Sequence, residues 1–107
     1  MTDTFKKLAQ AQPAGSPSTT TLYTVPSATQ TVVRHIRIVN MDTADRTIKL
    51  WHDGTADSNV ILPATTVKSG GWSEFDGTIT MEANDTLIAQ ASAGSAITVT
   101  VYGLEVT

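Results

Sequence analysis

The sequence predicts an all-β protein, a single jelly-roll-like antiparallel β-sandwich with an extended N-terminal arm. From residue 20 onward, stretches rich in Thr and Val recur at intervals of about 8 to 12 residues, and clusters of Gly, Pro, Asn and Asp separate them. No helical period of useful length and no internal repeat interrupts this pattern. The chain has 107 residues, which is enough for one domain but not for a second core.

Residues 1–19 differ in composition from the remainder and are predicted to form the arm. Two prolines and a glycine fall between residues 13 and 17, and such a segment neither continues a helix nor joins a central strand. Residues 20–107 then form the sandwich domain. Two alternatives stay open for the arm. It is a disordered tail in the isolated monomer, or it docks on a neighbouring subunit with Phe5 and Leu8 as apolar anchors.

Eight strands are predicted within the domain. Thr and Val favour strands because their branched side chains pack well on a pleated surface. Pro63 lies inside an apolar run, so its strand is predicted to be an edge strand or two short pieces. The predicted strands cover residues 20–25, 30–40, 46–53, 59–67, 71–75, 77–83, 86–92 and 96–106.

One hairpin can be built from the sequence, because strands 30–40 and 46–53 are joined by the short loop MDTAD. Placing Asn40 opposite Arg46 collects apolar side chains on one face, which is predicted to be core. A slip of one residue would scramble this sorting, so the sequence specifies the register. The apolar pairs that this register brings together are Ile38 with Ile48 and Ile36 with Leu50.

The opposite face of this hairpin would carry Arg37 beside Lys49 and His35 beside Trp51. Two like charges side by side are unfavourable. Therefore either an acidic group from elsewhere in the chain lies beside Arg37 and Lys49, or this face binds a partner. A shift of two residues would place Arg37 beside Trp51, where a cation–π contact forms. Since Trp51 is displayed away from the core in either register, Arg37, Lys49 and Trp51 are predicted to belong to a partner interface.

Strand 96–106 alternates apolar and polar residues until Gly103 interrupts the pattern. Beyond this glycine, Leu104 and Val106 have the opposite parity. A glycine at this place in a strand predicts a bulge or a bend.

Composition excludes several classes of function. The net charge is −3, and the nearest approach to a basic cluster is Arg34, His35 and Arg37, so binding to nucleic acid is not expected. The chain has no cysteine and therefore no disulfide, thiolate metal site or cysteine nucleophile. The N-terminus lacks the apolar core of a signal peptide, and no run approaches the ~20 apolar residues that span a membrane.

No catalytic, metal or cofactor site is predicted. His35, His52 and Asp53 are not accompanied by the third strong ligand that zinc requires. Turn chemistry accounts for the Asp and Asn residues of the loops, and their spacing does not match a calcium-binding EF-hand. The sequence contains neither a GxSxG elbow nor a Gly-rich phosphate loop, and the chain is not expected to be an enzyme.

The large rings of the chain offer a further alternative. Exposed rings on a β-sandwich can stack on sugars, although rings more often lie in cores or protein interfaces. Trp72 begins a strand that also contains Phe75, so a core position is predicted for it. Trp51 is the ring predicted to lie in an interface.

Four segments, TLYTVP (21–26), IRIVN (36–40), EANDTLIAQAS (82–92) and VTVYGLEV (99–106), resemble a family of small virion structural proteins of tailed bacteriophages. The resemblance extends from about Thr4 to the end of the chain. It implies a virion structural protein with a jelly-roll-like sandwich, present in many copies. It carries no catalytic motif, so no active residues are transferred.

On this resemblance we expect a non-enzymatic component of a phage virion, assembled in the host cytoplasm. The favoured role is a head decoration protein that binds the major capsid protein or other virion proteins and stabilises the assembled head. A homo-oligomer is expected, with a trimer favoured. Two alternatives are a tail or tail-tip component that binds the host surface through Trp51, and a carbohydrate-binding β-sandwich module.

Overall fold

The computed structural model describes residues 3–107, with side chains from Phe5 onward, and it confirms an all-β sandwich. Nine strands account for most of this range, and one 3-10 turn lies at Asp57–Asn59. The strands are β1 (Asp3–Ala11), β2 (Thr20–Thr24), β3 (Gln30–Asn40), β4 (Arg46–His52), β5 (Val60–Val67), β6 (Trp72–Phe75), β7 (Ile79–Met81), β8 (Thr86–Ala91) and β9 (Ile97–Val106).

Two antiparallel sheets form the layers of the sandwich. The front sheet has the order β1-β9-β3-β6, and β7 pairs with β3 beside β6. The back sheet has the order β2-β8-β4-β5. Successive strands from β1 to β4 alternate between the two sheets. Strand β5, which contains Pro63, lies at the edge of the back sheet, and this confirms the prediction of an edge strand.

The core fills the space between the sheets with aliphatic side chains. Each fully buried side chain of this size contributes about 1.5–3 kcal/mol relative to the exposed state. The fully buried aliphatic members from β3, β4 and β9 are Val33, Ile36, Ile38, Ile48, Leu50, Ile97, Val99 and Val101.

The predicted hairpin between β3 and β4 is wrong, although its apolar face is core as expected. Strand β3 lies in the front sheet between β9 and the β6/β7 edge, whereas β4 lies in the back sheet between β8 and β5. Their apolar side chains therefore face each other across the core. An alternating pattern is the same for strands that pair side by side and for strands that pack face to face, so the pattern could not distinguish the two.

Asn40 fixes the crossing from the front sheet to the back sheet. Its buried side-chain amide donates to the carbonyl oxygens of Ala44 at 3.0 Å and Val67 at 2.9 Å. Its side-chain oxygen accepts from the backbone nitrogen of Asp42 at 2.9 Å, and Arg46 Nε donates to Asp42 Oδ2 at 2.7 Å. These directed bonds turn the loop away from a hairpin.

The segment predicted to be a separate arm is extended, but its first half belongs to the sandwich. Strand β1 is the edge of the front sheet and pairs with β9 from Asp3 opposite Val106 to Ala11 opposite Val99. Met1 and Thr2 lie outside the described residues. Polar residues dominate β1, and an edge strand tolerates them because only one of its sides is paired. Residues 3–11 of the predicted arm thus extend the front sheet at its edge.

The irregularity predicted at Gly103 occurs in both neighbouring strands rather than in β9 itself. Strand β1 has one extra residue, Leu8, beside the position of Tyr102. Strand β3 has one extra residue, Arg34, between the partners of Gly103 and Tyr102. Two bulges at one level of a sheet bend it sharply.

Close approach of the two neighbours explains why a glycine occupies this place. A Cβ atom at position 103 would lie 2.4 Å from the carbonyl oxygen of Val32 and 2.8 Å from Leu8 Cδ1. Leu8 thus fills the space above Gly103 and packs against the core of its own chain.

We expect Gly103→Ala to lower the free energy of unfolding by roughly 1–3 kcal/mol, because the added methyl group meets a backbone oxygen that cannot move alone. Chemical denaturation of the full chain measures this. The control is Gly94→Ala, whose Cβ meets its nearest neighbour at 3.6 Å and should change stability by less than about 0.5 kcal/mol. Equal stability of the two variants would contradict the close packing at Gly103.

Candidate interaction surface

The outer face of the front sheet gathers exposed rings. Phe5, Tyr102 and Trp72 have exposed fractions of 72%, 40% and 60%, and they are three of the four exposed large hydrophobic side chains among residues 5–107. Tyr102 lies opposite His35, and directly paired antiparallel residues share a face. We call this surface the front face and define it by Phe5, Lys7, Arg34, His35, Arg37, Trp72, Glu74 and Tyr102.

Strand β3 supplies the centre of the front face, and its bulge determines which residues appear there. Val33 and Ile36 are both buried, so the two residues between them turn outward together. Arg34 is exposed and His35 is half-buried against Tyr102, with ring centroids 6.2 Å apart. Without the bulge, one of these two side chains would point into the core.

Arg37 and Trp72 form a cation–π pair at the end of the front face where β6 begins. The guanidinium carbon of Arg37 lies 4.9 Å from the ring centroid of Trp72. Glu74, on the strand beside Arg37, lies 3.8 Å from its Nη2 and 3.5 Å from Nε2 of His35. The acidic group expected near Arg37 is thus Glu74.

The structure reverses the expectations for the two tryptophans. Trp51 is 5% exposed, so the expectation that it is displayed is wrong. It lies opposite Ile88 in the back sheet, with Lys49 Nζ 5.1 Å from its ring centroid, and its Nε1 is buried with no hydrogen-bond partner among the described residues. Trp72, predicted to be core, is exposed, whereas Phe75 packs against the core. Residues three apart in a strand face opposite sides, and this signal could have separated Trp72 from Phe75.

The two predicted apolar anchors of the arm lie in different environments. Phe5 is exposed on the front face, and Leu8 packs into its own chain. The structure places Arg37 with Phe5 on the front face, and it places Lys49 with Trp51 on the back sheet. The interface role stays a prediction for the five residues, which lie on two different sheets. They are Phe5, Leu8, Arg37, Lys49 and Trp51.

The two histidines do not form a shared site. His52 Nε2 lies 3.0 Å from Asp85 Oδ2, and this hydrogen bond holds the pKa of the Asp85 carboxyl below its usual range. His35 lies on the other sheet. Among the residues that the structure describes, no three His, Asp or Glu side chains are grouped so that they could hold a metal ion. Within residues 3–107, no helix has the length and apolar character needed to cross a membrane.

Tyr23 ties the back sheet to the front sheet at the end opposite Asn40. Its hydroxyl donates to Glu105 Oε2 and lies 2.9 Å from Thr31 Oγ1. Lys6 Nζ lies 2.7 Å from the other carboxylate oxygen of Glu105. Burial, together with the hydrogen bond to Glu105, raises the pKa of Tyr23 to about 12. The hydrogen bonds from Lys6 and Tyr23 lower the pKa of Glu105.

We expect the chain to lose stability as pH rises from about 10, the pKa of an unfolded tyrosine, to about 12. The folded state keeps the Tyr23 proton over this window while the unfolded state releases it. The contribution is therefore complete below pH ~10 and is lost as pH rises through the folded pKa. Denaturation at several pH values measures the loss, which Tyr23→Phe should reduce.

A direct titration provides the check on Tyr23. The chain contains two tyrosines, so Tyr102→Phe leaves Tyr23 as the only phenol. The tyrosinate absorbance of this folded variant should have its midpoint near 12. A midpoint near 10 in the folded variant would show that the contact with Glu105 does not restrain the phenol.

Comparisons with known proteins identify similar folds but no family to which this chain belongs. No model of a known protein family matches the chain, and no curated protein sequence matches it. A chain in the acidic stable capsid structure of Helicobacter pylori bacteriophage KHP30 is similar, with a TM-score of 0.56, 13% identity and 99% of each chain covered. A chain of the Bacillus endospore appendages, a family of disulfide-linked pili, has a TM-score of 0.57 and 16% identity, with 99% of this chain and 88% of that chain covered.

A third similar structure is that of infectious bursal disease virus, Gx strain. Its TM-score is 0.54 at 11% identity, and 97% of this chain covers 36% of that chain. Identities this low establish a shared β-sandwich fold alone. The fold is thus one that occurs in structures of virus particles and of a bacterial surface filament.

Proposed function

We propose that this chain is a non-enzymatic structural protein of a bacteriophage virion, and that it decorates and stabilises the assembled head. The observation that carries the proposal is the front face, where exposed rings and cations lie on the outer surface of one sheet. Tyr, Trp and Arg are the residues most enriched at protein interfaces and at their energetic centres. The front face presents Tyr102, Trp72 and Arg37 together.

Two further observations support a virion setting. The sequence resembles small structural proteins of tailed phages over most of its length. A chain in the KHP30 capsid structure has a similar fold, and 99% of each chain is covered. A protein that binds only the assembled lattice stabilises that lattice by mass action. Many copies with modest individual affinity are sufficient, because linked contacts act together.

The test is quantitative mass spectrometry of purified phage particles, in which this chain is counted against the major capsid protein. We expect a ratio near one, or one per few capsid chains, because a decoration protein repeats with the lattice. A ratio far below this would replace the decoration role with a tail or tail-tip component. Complete absence of the chain from particles would overturn the virion proposal.

A second experiment connects the front face to this role. Recombinant chain is added to particles that lack it, and retention is measured by co-sedimentation. Trp72→Ala should reduce retention at least tenfold, because it removes the exposed indole ring of the front face. The control is Met41→Ala, which removes an exposed apolar side chain just beyond β3. Equal retention of both variants would dissociate the front face from particle binding.

One observation favours carbohydrate binding as a second candidate function. Trp72 and Tyr102 are exposed on the outer face of one sheet, where rings can stack on sugars. The alternative therefore moves from the buried Trp51 to these two residues. Binding on a glycan array that Trp72→Ala abolishes and Met41→Ala preserves would favour this candidate over decoration.

A further inference from the structure

Two surfaces of this chain each concentrate charge of one sign. Of the seven Lys and Arg residues, four form ion pairs within the chain, and Lys49 lies over Trp51. The remaining two, Lys7 and Arg34, lie on the front face together with Arg37. Glu74, the ion-pair partner of Arg37, is the only carboxylate among the residues that define this face.

Three exposed carboxylates lie at one end of the sandwich, which we call the acidic end. Asp53 and Asp57 lie in the loop between β4 and β5, and Glu82 follows β7. The two loops adjoin, since the backbone nitrogen of Asp53 donates to the Thr86 carbonyl at 2.7 Å. None of the three carboxylates forms an ion pair within the part of the chain that the structure describes.

A groove opens at the acidic end beside Glu82. It has a volume of about 360 Å³, and its lining includes the apolar side chains of Ala28, Ala83 and Val106. Glu82 and Gln30 supply its polar rim, where Gln30 Nε2 donates to Glu82 Oε2 at 2.9 Å. An apolar floor with a carboxylate at the rim suits an aromatic side chain that has a cation beside it.

The front face presents such a pair, but at the other end of the molecule. Trp72 lies opposite Val39, and the groove includes Gln30 at the start of the same strand. Nine residue steps along a strand separate these positions by roughly 30 Å, in a molecule 45 Å long. One chain therefore cannot insert its own Trp72 into its own groove.

We propose that the front face of one copy binds the acidic end of a second copy of this chain. Trp72 enters the groove of the neighbour, and Arg37, stacked on that ring, pairs with the neighbour's copy of Glu82. The proposal rests on the proposed function insofar as that function makes the front face a protein interface, and it names the partner.

Charge complementarity favours a second copy in this orientation. Two front faces brought together across a twofold axis would oppose cations to cations, which costs affinity. A contact between the front face of one copy and the acidic end of the other instead joins opposite charges. It leaves one front face and one acidic end of the pair unoccupied. Contacts between different patches continue from copy to copy, so they close into a ring or extend into a filament.

The first test is the mass of the full chain in solution, measured by light scattering over a range of concentrations. We expect self-association that weakens with added salt, because its charges lie at an exposed rim. Trp72→Ala should weaken the association at least tenfold, and the Met41→Ala control should not change it. A chain that stays monomeric at all concentrations would overturn the inference.

Cross-linking tests the orientation, and the absence of cysteine makes it clean. Val39→Cys marks the front face beside Trp72, and Ala83→Cys marks the groove. A mixture of the two variants should form mixed disulfide dimers. Mixing Val39→Cys with Lys68→Cys, whose loop belongs to neither surface, should not. Dimers of Val39→Cys alone that form as fast as the mixed dimers would indicate front-to-front contact and overturn the inference.

These outcomes separate the inference from the proposed function. A chain that is abundant in particles but monomeric in solution overturns the contact between copies alone. A chain that associates as described but is absent from particles overturns the virion role alone.

Discussion

The close approach of β3 to Gly103 is the constraint on which the front sheet depends. A side chain at this position would collide with the backbone of β3 and with Leu8. The strands on both sides of Gly103 bulge at this level, and each bulge changes the parity of its strand. The same constraint therefore selects the buried residues of β3 and the outward pair, Arg34 and His35. The absence of a Cβ atom at residue 103 therefore influences both which side chains are buried and which lie on the outer face.

Two polar ties hold the sheets together in a chain without cysteine. Asn40 turns the chain between sheets at one end, and Tyr23 joins them through Glu105 at the other. A hydrogen bond contributes about 1 kcal/mol net, which is less than the burial of a single large aliphatic side chain. The aliphatic core thus supplies most of the stability. The polar ties decide which strands face each other, because hydrogen bonds are directional and hydrophobic contacts are not.

Strand positions were predictable from the sequence, whereas strand partners were not. Alternation located β3 at 30–40, and the edge position of β5 followed from Pro63, because both are local properties of the chain. Pairing is not local, and so β3 and β4 were wrongly joined. Strand β1 was missed because its bulge at Leu8 breaks the alternation. In β3, buried Val33 and buried Ile36 are three residues apart, a parity change that does predict a bulge.

The candidate surface was harder to predict than the fold for a related reason. Arg37 was identified because a charge beside an apolar stripe needs a partner, and the structure supplies Glu74 and Trp72. Whether Trp51 or Trp72 is exposed depends on what covers each ring. Lys49, two residues away in the same strand, covers part of Trp51. A period-two pattern places the two side chains on one face, but it does not show that the lysine lies over the ring.

Two sheet edges of this chain are obstructed against pairing with another chain. An open strand edge invites pairing with another chain, which has no natural limit. Strand β1 carries Lys6 and Lys7, whose charges disfavour such pairing, and Pro63 removes a backbone donor from β5. In the contact that we propose between copies, exposed rings and complementary charges act instead of strand pairing at these two edges. Trp72 and the groove lie at opposite ends of the molecule, so this contact would specify both partner and orientation, as a repeating subunit of the proposed shell requires.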